Sequence, residues 1–264
     1  MDRFWGRAPV VRGTRVDPVE AGGVASEWVT APHSSAGRAI VYLHGGAYVV
    51  GSPRSHRGLA ARLSGASGAS VLVPDYRLAP EHPFPGAVDD AVAAYRWLLD
   101  EGFDPGRVAL AGDSAGGGLA VALMLALSEH GLPRPAAAAL FAPWLDLGVE
   151  RRPPPEVPDP SLTDEGLAES AGTYLAGADL SHPLASPIHG DLGALPPLFV
   201  QVGTADLLLD DARRLARAAE GAGVRCVLDE WPGMPHVFQM YAPVSRSARR
   251  AVRRAGEFLG ERTS

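Results

Sequence analysis

Short apolar runs alternate along the chain with segments of helical periodicity. Six runs predict strands, at residues 39–43, 70–74, 107–111, 137–142, 198–202 and 225–230. The apolar spacing predicts helices at about residues 55–66, 86–100, 115–130, 208–222 and 245–259. Strands separated by helices of this length are typical of βαβ units, and therefore of an α/β fold with a mostly parallel sheet and helices on both faces. A weaker run at 25–30 predicts an antiparallel edge strand.

One proline-rich segment, residues 148–197, breaks this alternation and carries one helical stretch around 164–175. Because the segment lies between two predicted strands, it predicts an excursion from the sheet rather than a linker to a second domain. Long excursions of this kind are usually lids or binding loops. We therefore expect one domain over residues 1–264, with cap elements from 1–24 and 148–197.

Composition is typical of a globular protein with a sizeable core, at 264 residues, 46% hydrophobic and 20% charged. The net charge of −6 and the pI near 5.7 disfavour nucleic acids and anionic membranes as partners. The lone cysteine, Cys226, excludes an internal disulfide and a multi-cysteine metal site. No apolar run reaches the ~18 residues of a membrane span, and no secretion signal is visible, so we expect a cytoplasmic location.

The segment at residues 112–116, Gly-Asp-Ser-Ala-Gly, fits the G-x-S-x-G nucleophile elbow, a sharp strand-to-helix turn that presents a serine hydroxyl. The pattern by itself is weak, but its context is specific. A predicted buried strand precedes it, and a predicted buried helix follows it. The elbow holds its serine in a strained backbone conformation, which proteins keep mainly for function. Ser114 is therefore the predicted nucleophile.

A serine nucleophile needs a base, an orienting carboxylate and donors for the oxyanion. In enzymes built on this elbow the partners follow in the order Ser, Asp or Glu, His, on loops at the carboxyl ends of strands. Of the eight histidines, His236 follows the last predicted strand on a tight turn. The others precede the elbow or lie on a helix end or the excursion. His236 is therefore the predicted base, and a surface-loop histidine without a catalytic role is the alternative.

Asp206 is the predicted orienting carboxylate, because it follows the last strand but one. Asp210 and Asp211 come next, where a helix begins, and suit the positive end of its dipole. Asp146, after the strand that ends near Trp144, is the main alternative to Asp206.

The oxyanion donors are predicted at the Gly-Gly pair that follows His44 and at the start of the nucleophile helix. Gly45 and Gly46 leave a strand, and glycine there allows two backbone N–H groups to turn toward a ligand. The N–H of Ala115 lies at the positive end of the helix. An ordinary strand-end turn is the alternative interpretation of the Gly-Gly pair.

Four ordered blocks occur together in the chain. They are His44-Gly-Gly-Ala-Tyr, Asp75-Tyr-Arg-Leu-Ala-Pro-Glu-His-Pro-Phe-Pro, Gly112-Asp-Ser-Ala-Gly-Gly, and Gly203-Thr-Ala-Asp paired with His236. Over about residues 27–258 the chain resembles the hormone-sensitive-lipase-like esterases. Two further segments, Ala142-Pro-Trp-Leu-Asp-Leu and Met234-Pro-His-Val-Phe, are more similar to the branch that contains monoterpene ε-lactone hydrolases and small-ester hydrolases.

The resemblance implies an α/β-hydrolase fold, with Ser114, Asp206 and His236 as a catalytic triad. It also implies the N–H groups of Gly45, Gly46 and Ala115 as oxyanion donors. Members of this family usually carry a longer helical N-terminal segment that forms part of the cap. Because few residues precede His44 here, we expect a small, reduced cap.

The pocket wall is expected to come from side chains that flank these motifs or lie on the excursion. These are Tyr48, Val49, Trp144, Leu145, Tyr174, Val237 and Phe238. Aromatic walls near the serine favour small substrates with short to medium acyl chains. The alternative is that some of them, Trp144 above all, fill the core under the cap.

These features predict a serine carboxylic ester hydrolase that acts through an acyl-enzyme and needs neither a cofactor nor a metal. The alternatives keep the triad but change the reaction, to a lactone hydrolase, an amidase, an acyltransferase or a lyase. A non-catalytic ligand receptor on the same fold is a third hypothesis, although such a protein should have lost a triad member. The expected partner is a small-molecule ester or lactone. The oligomeric state stays open, a homodimer included.

Overall fold

The computed structural model describes residues 10–148 and 158–264, which form eight strands and six α-helices. The strands are β1 (Arg15–Ala21), β2 (Val24–Thr30), β3 (Ser35–Leu43), β4 (Ala69–Pro74), β5 (Val108–Asp113), β6 (Ala138–Phe141), β7 (Leu198–Gly203) and β8 (Cys226–Trp231). The helices are α1 (Pro53–Ser67), α2 (Gly86–Asp100), α3 (Ala115–Glu129), α4 (Asp164–Leu175), α5 (Leu209–Gly221) and α6 (Arg246–Arg262).

The strands form one sheet in the order β1-β2-β4-β3-β5-β6-β7-β8. The pairs β1–β2 and β2–β4 are antiparallel, and the other pairs are parallel. Parallel crossovers are almost always right-handed. The crossover through α1 runs toward one edge of the sheet, whereas those through α2, α3 and α5 run toward the other. Helix α1 therefore covers the opposite face, where α6 packs against it.

The mostly parallel sheet with helices on both faces confirms the predicted α/β-hydrolase fold class. Strands β4, β5, β6 and β7 are buried along their whole length, which explains why they read as continuous apolar runs rather than alternating ones. The predicted helices lie within a few residues of their observed bounds, and α2 and α4 match them.

The amino-terminal region requires a correction. Residues 15–21, expected in the cap, form β1, which lies at the edge of the sheet beside β2. Pro18 and several exposed polar positions weaken the strand pattern of β1, but an edge strand tolerates proline because one of its sides pairs with no neighbour. The turn at Gly22 and Gly23, both at positive φ, closes the hairpin. Residues 1–9 of the expected cap lie outside the described residues.

The excursion between β6 and β7 contributes α4 and two short 3₁₀ turns, Pro187–His189 and Leu192–Ala194. Helix α4 begins after Thr163, whose hydroxyl accepts a hydrogen bond from the Gly166 N–H. Its buried face packs on the sheet domain, with the Tyr174 ring stacked on the Tyr48 ring at 3.8 Å between centroids. Helix α4 therefore packs against the loop that follows β3, and we refer to the described part of this excursion, residues 158–197, as the cap. Residues 149–157 of the excursion lie outside the described residues.

Candidate active site

Ser114 lies on a sharp turn between β5 and α3. Its backbone has φ 53° and ψ −124°, a positive-φ conformation outside the left-handed helical region that is rare for any residue except glycine. Although it is the N-cap of α3, its side chain makes no capping hydrogen bond. Gly116 lets the helix start approach the end of β3, since a Cβ there would lie 2.1 Å from the Leu43 carbonyl oxygen. The turn therefore presents the Ser114 hydroxyl instead of using it as a cap.

The loop after β3 lies beside this turn, because Leu43 pairs with Gly112 in the parallel register of β3 and β5. Gly46 has φ +127°, and a Cβ there would lie 1.9 Å from the Val50 carbonyl oxygen. Ala47 also has a positive φ, of 54°. Only glycine satisfies both the conformation and the contact at position 46.

The predicted donor set needs one correction. The Gly45 N–H already donates to Asp113 Oδ1, at 3.0 Å, because the carboxylate lies directly against the loop. In the described part of the chain, the N–H groups of Gly46, Ala47 and Ala115 donate to no protein acceptor. These three amides are therefore available to an oxyanion. Ala47 was missed because an alanine at positive φ leaves no signal in the sequence.

Asp113 anchors the loop to the elbow. It is buried, and its carboxylate accepts hydrogen bonds from the Tyr42 hydroxyl at 2.7 Å and the Gly45 N–H. His56 Nε2 lies 3.4 Å from the other carboxylate oxygen. Burial alone would raise the pKa of Asp113, but His56 and the Tyr42 hydroxyl stabilise the carboxylate and hold its pKa below the usual value. A buried anion thus holds the Gly45 end of the loop against β5.

Asp206 and His236 meet on neighbouring loops that follow β7 and β8. His236 Nδ1 lies 3.0 Å and 3.1 Å from the two Asp206 carboxylate oxygens, and Asp206 is fully buried. The two loops are joined by hydrogen bonds from Thr204 N–H to the Trp231 carbonyl and from Ala205 N–H to the Met234 carbonyl. The imidazole therefore has its Nδ1 fixed by a carboxylate, which leaves Nε2 for another partner.

The alternative carboxylate, Asp146, contacts other side chains and not His236. Its carboxylate accepts a hydrogen bond from Arg214 Nη1 at 2.9 Å and lies 3.7 Å from His189 Nε2. Asp211, in the first turn of α5, accepts hydrogen bonds from the N–H groups of Leu145 and Asp146. The structure therefore brings Asp206, and not Asp146, to His236.

Burial alone would lower the pKa of His236, but the contact with Asp206 outweighs it. The charges of Asp159 and Asp113 act in the same direction, and the pKa of His236 lies above its ordinary value. Among the described residues, Asp159, Asp206 and His236 form a group whose polar atoms could hold a cation. Because His236 Nδ1 is engaged with Asp206, the arrangement fits a hydrogen-bonded base better than a metal ligand.

Ser114 and His236 line one cavity of about 340 Å³. Its other lining residues come from the loop after β3, from the end of β5, from the cap and from the segment after His236. They are Gly46, Ala47, Val49, Val50, Asp113, Ser161, Leu162, Leu167, Ser170, Val237, Met240 and Tyr241. The lining is mainly apolar, with few polar groups near the serine.

Two of the seven expected wall residues, Val49 and Val237, line this cavity. The prediction is wrong for the other five, because they are buried in the core and do not line the cavity. These are Tyr48, Trp144, Leu145, Tyr174 and Phe238. The Tyr48 ring stacks on the Tyr174 ring and makes a tilted contact with the Trp144 ring at 6.2 Å between centroids, so these aromatic side chains pack against one another in the core. Smaller residues of the cap, Leu162, Leu167 and Ser170, form the part of the wall that the aromatic residues were expected to form. Of these, Leu167 could have been predicted from its spacing on the apolar face of α4.

Comparison with known proteins identifies the family. A family model described as alpha/beta hydrolase fold matches residues 40–240. A crystal structure of an esterase from the bacterial hormone-sensitive lipase family superimposes with a TM-score of 0.95 at 45% identity, covering 100% of this chain and 89% of that one. The chain belongs to the hormone-sensitive lipase group of the α/β-hydrolases.

Two further comparisons agree with this membership. An acetyl-hydrolase of Streptomyces hygroscopicus is 52% identical over 248 residues, which cover 92% of this chain and 82% of that protein. A crystal structure of EstE5 soaked with p-nitrophenyl butyrate has a TM-score of 0.93 at 42% identity, covering 100% of this α/β-hydrolase and 90% of that chain. The predicted family resemblance is confirmed, while the similarity to the lactone-hydrolase branch stays a prediction. Among the described residues, no helix combines the length and apolarity needed to cross a bilayer.

Proposed function

We propose that this α/β-hydrolase cleaves small carboxylic esters with short to medium acyl chains through an acyl-enzyme on Ser114. Family membership supports carboxylic ester hydrolysis as the reaction class. The observation that carries the residue assignment is that Ser114 and the Asp206-bound His236 line the same cavity.

The arrangement supports a two-step reaction. His236 Nε2 takes the Ser114 hydroxyl proton as the serine oxygen attacks the ester carbonyl, and Asp206 stabilises the imidazolium that forms. The N–H groups of Gly46, Ala47 and Ala115 hold the negative oxygen of the tetrahedral intermediate. His236 then gives its proton to the leaving alcohol, so that an acyl-serine remains. Water, activated by the same histidine, releases the acid and restores the serine.

The size of the cavity supports small substrates. A cavity of about 340 Å³ is at the lower end of the range for small-molecule sites. Each further methylene contributes only about 0.8 kcal/mol, and only where it finds apolar wall to contact. The related acetyl-hydrolase and the EstE5 crystal soaked with p-nitrophenyl butyrate carry short acyl groups in their names. Two independent features therefore favour short to medium chains.

The test is a panel of p-nitrophenyl esters from acetate to palmitate, together with lactones of matched size, assayed on the wild type and Ser114→Ala. We expect kcat/KM to peak at short to medium chains, to fall for long ones, and to be lost in the variant. A preference for lactones at every size would move the assignment to a lactone hydrolase. A preference for emulsified long-chain triglyceride would refute the small-pocket proposal.

A further inference from the structure

A second carboxylate approaches the catalytic pair from the cap. Residues 158–163, named here the cap-entry segment, lead into α4 and contain Asp159, which is partly buried. One carboxylate oxygen of Asp159 accepts hydrogen bonds from the N–H and hydroxyl of Ser161 and from the Leu162 N–H. This oxygen fixes the turn that places Ser161 and Leu162 in the cavity wall.

The other carboxylate oxygen of Asp159 reaches the sheet domain. It accepts a hydrogen bond from the Leu207 N–H at 2.9 Å. Leu207 follows Asp206 directly, and Asp206 Oδ1 accepts from the N–H of Leu208. Asp159 thus ties the cap-entry segment to the loop whose conformation aims Asp206 at His236.

Asp159 also lies close to the reacting base. A carboxylate oxygen of Asp159, one of Asp206 and a ring nitrogen of His236 all lie within 4.8 Å of one another. The negative charges that act on His236 come from three elements: Asp206 after β7, Asp159 on the cap-entry segment and Asp113 at the end of β5. Two of these are fixed in the sheet domain, and the third is carried by the cap.

We propose that Asp159 is a positioning residue, through which the docked cap holds the Asp206 loop and stabilises the imidazolium that His236 becomes during the reaction. This inference rests on the proposed function, because it assigns Asp159 a role through the His236 base. Opposite charge within about 4–6 Å favours a charged partner even without direct contact. Docking of the cap-entry segment therefore does two things at once: it completes the cavity wall and strengthens the base.

The experiment measures the pH dependence of kcat and kcat/KM for p-nitrophenyl butyrate in the wild type, Asp159→Asn and Asp164→Asn. Asparagine keeps one acceptor oxygen and loses the charge. Asp164, in the exposed first turn of α4, is the matched control, because its replacement removes the same charge from the same cap. Active sites are counted by titration with a fluorophosphonate, so that a fraction of misfolded protein does not enter the rates.

We expect the acidic limb of kcat/KM, which reports the base in the free enzyme, to move to lower pH by about half a unit or more in Asp159→Asn. We also expect kcat at the plateau to fall about tenfold. Asp164→Asn should match the wild type in both. A lower plateau or a lower Tm with an unmoved acidic limb would show a merely structural role and overturn the proposal. An equal shift in Asp164→Asn would do the same. Failure of the proposed function itself would be recognised by a different result, namely a Ser114→Ala variant that keeps the activity of the wild type.

Discussion

Two sides of one cavity differ in what holds them. On the sheet side, Ser114 and Gly46 have positive φ, and close backbone contacts and the buried Asp113 fix their turns. On the cap side, neither Leu162 nor Ser170 has a positive φ; hydrogen bonds to Asp159 hold the turn at Leu162, and the position of Ser170 depends on how α4 packs on the domain.

This difference indicates that the sheet side carries out the chemical step and that the cap side selects the substrate. Donors aimed at an oxyanion act only if they cannot relax, so they belong on the side that the sheet holds rigid. A wall that selects a substrate by size acts through dispersion and apolar burial, and its contribution to binding changes gradually with each methylene that is added or removed. We therefore expect substitutions on the sheet side to remove activity, and substitutions of apolar wall residues on the cap side to change the substrate preference.

The largest effect should come from the carboxylate that orients the base. Asp206→Asn is expected to lower kcat by about 10⁴-fold, because an amide stabilises the wrong imidazole tautomer. Asp146→Asn is the matched control, since Asp146 is paired with Arg214 and not with His236. Steady-state assays on both variants decide the matter: if Asp146→Asn were the more damaging change, the assignment of the acid would fail.

The second effect concerns the oxyanion loop. Gly46→Ala should lower kcat by about 10²-fold or more, because the Cβ would overlap the Val50 carbonyl and displace the donors. Gly102→Ala is the control, since Gly102 also has positive φ, of +88°, but its Cβ would meet nothing within 4 Å. Equal losses in the two variants would mean that backbone strain, and not the oxyanion donors, explains the effect.

The third prediction concerns the buried anchor. Asp113→Asn removes the charge that faces His56 and should lower the free energy of unfolding by about 3 kcal/mol at pH 7. Because the pKa of Asp113 is lowered in the fold, its stabilisation is present above the unfolded pKa and is lost as pH falls through the folded value. Urea unfolding at pH 7 and below pH 4 should thus show the gap between wild type and variant narrowing with acidification. A difference in the free energy of unfolding that stays constant with pH would contradict the proposal that the ionised carboxylate of Asp113 stabilises the fold.

The smallest effect should appear on the cap side. Leu162→Ala enlarges the cavity by the volume of a few methylenes. Each methylene of a longer acyl chain that enters this space and contacts the wall contributes about 0.8 kcal/mol. The ratio of kcat/KM for octanoate over butyrate should therefore rise about fourfold or more. Tyr174→Phe, which removes a buried hydroxyl with no hydrogen-bond partner among the described residues, should leave the ratio unchanged. If Tyr174→Phe changed the preference instead, the cavity would have been assigned to the wrong side chains.

The same contrast explains what could be predicted from the sequence. Ser114, His236 and Asp206 stand directly after buried strands, and parallel strands bring their carboxyl ends to one edge of the sheet, so strand order alone brings these residues together. The wall depends on which side chains α4 buries, and Tyr174 and Trp144 fill the core because both of their rings pack against the Tyr48 ring. The roles proposed for Ala47 and Asp159 depend on backbone conformation and tertiary contact, which leave no pattern along the chain.

The proposed mechanism requires Ser114 to form the acyl-enzyme, and covalent labelling of the protein tests this requirement. The protein is treated with a fluorophosphonate, and intact mass and peptide mapping locate the adduct, with Ser114→Ala treated in parallel. We expect one adduct, on the peptide that contains Ser114, with hydrolysis of p-nitrophenyl butyrate lost in proportion to labelling. An adduct on another residue, or labelling that persists in Ser114→Ala, would contradict it.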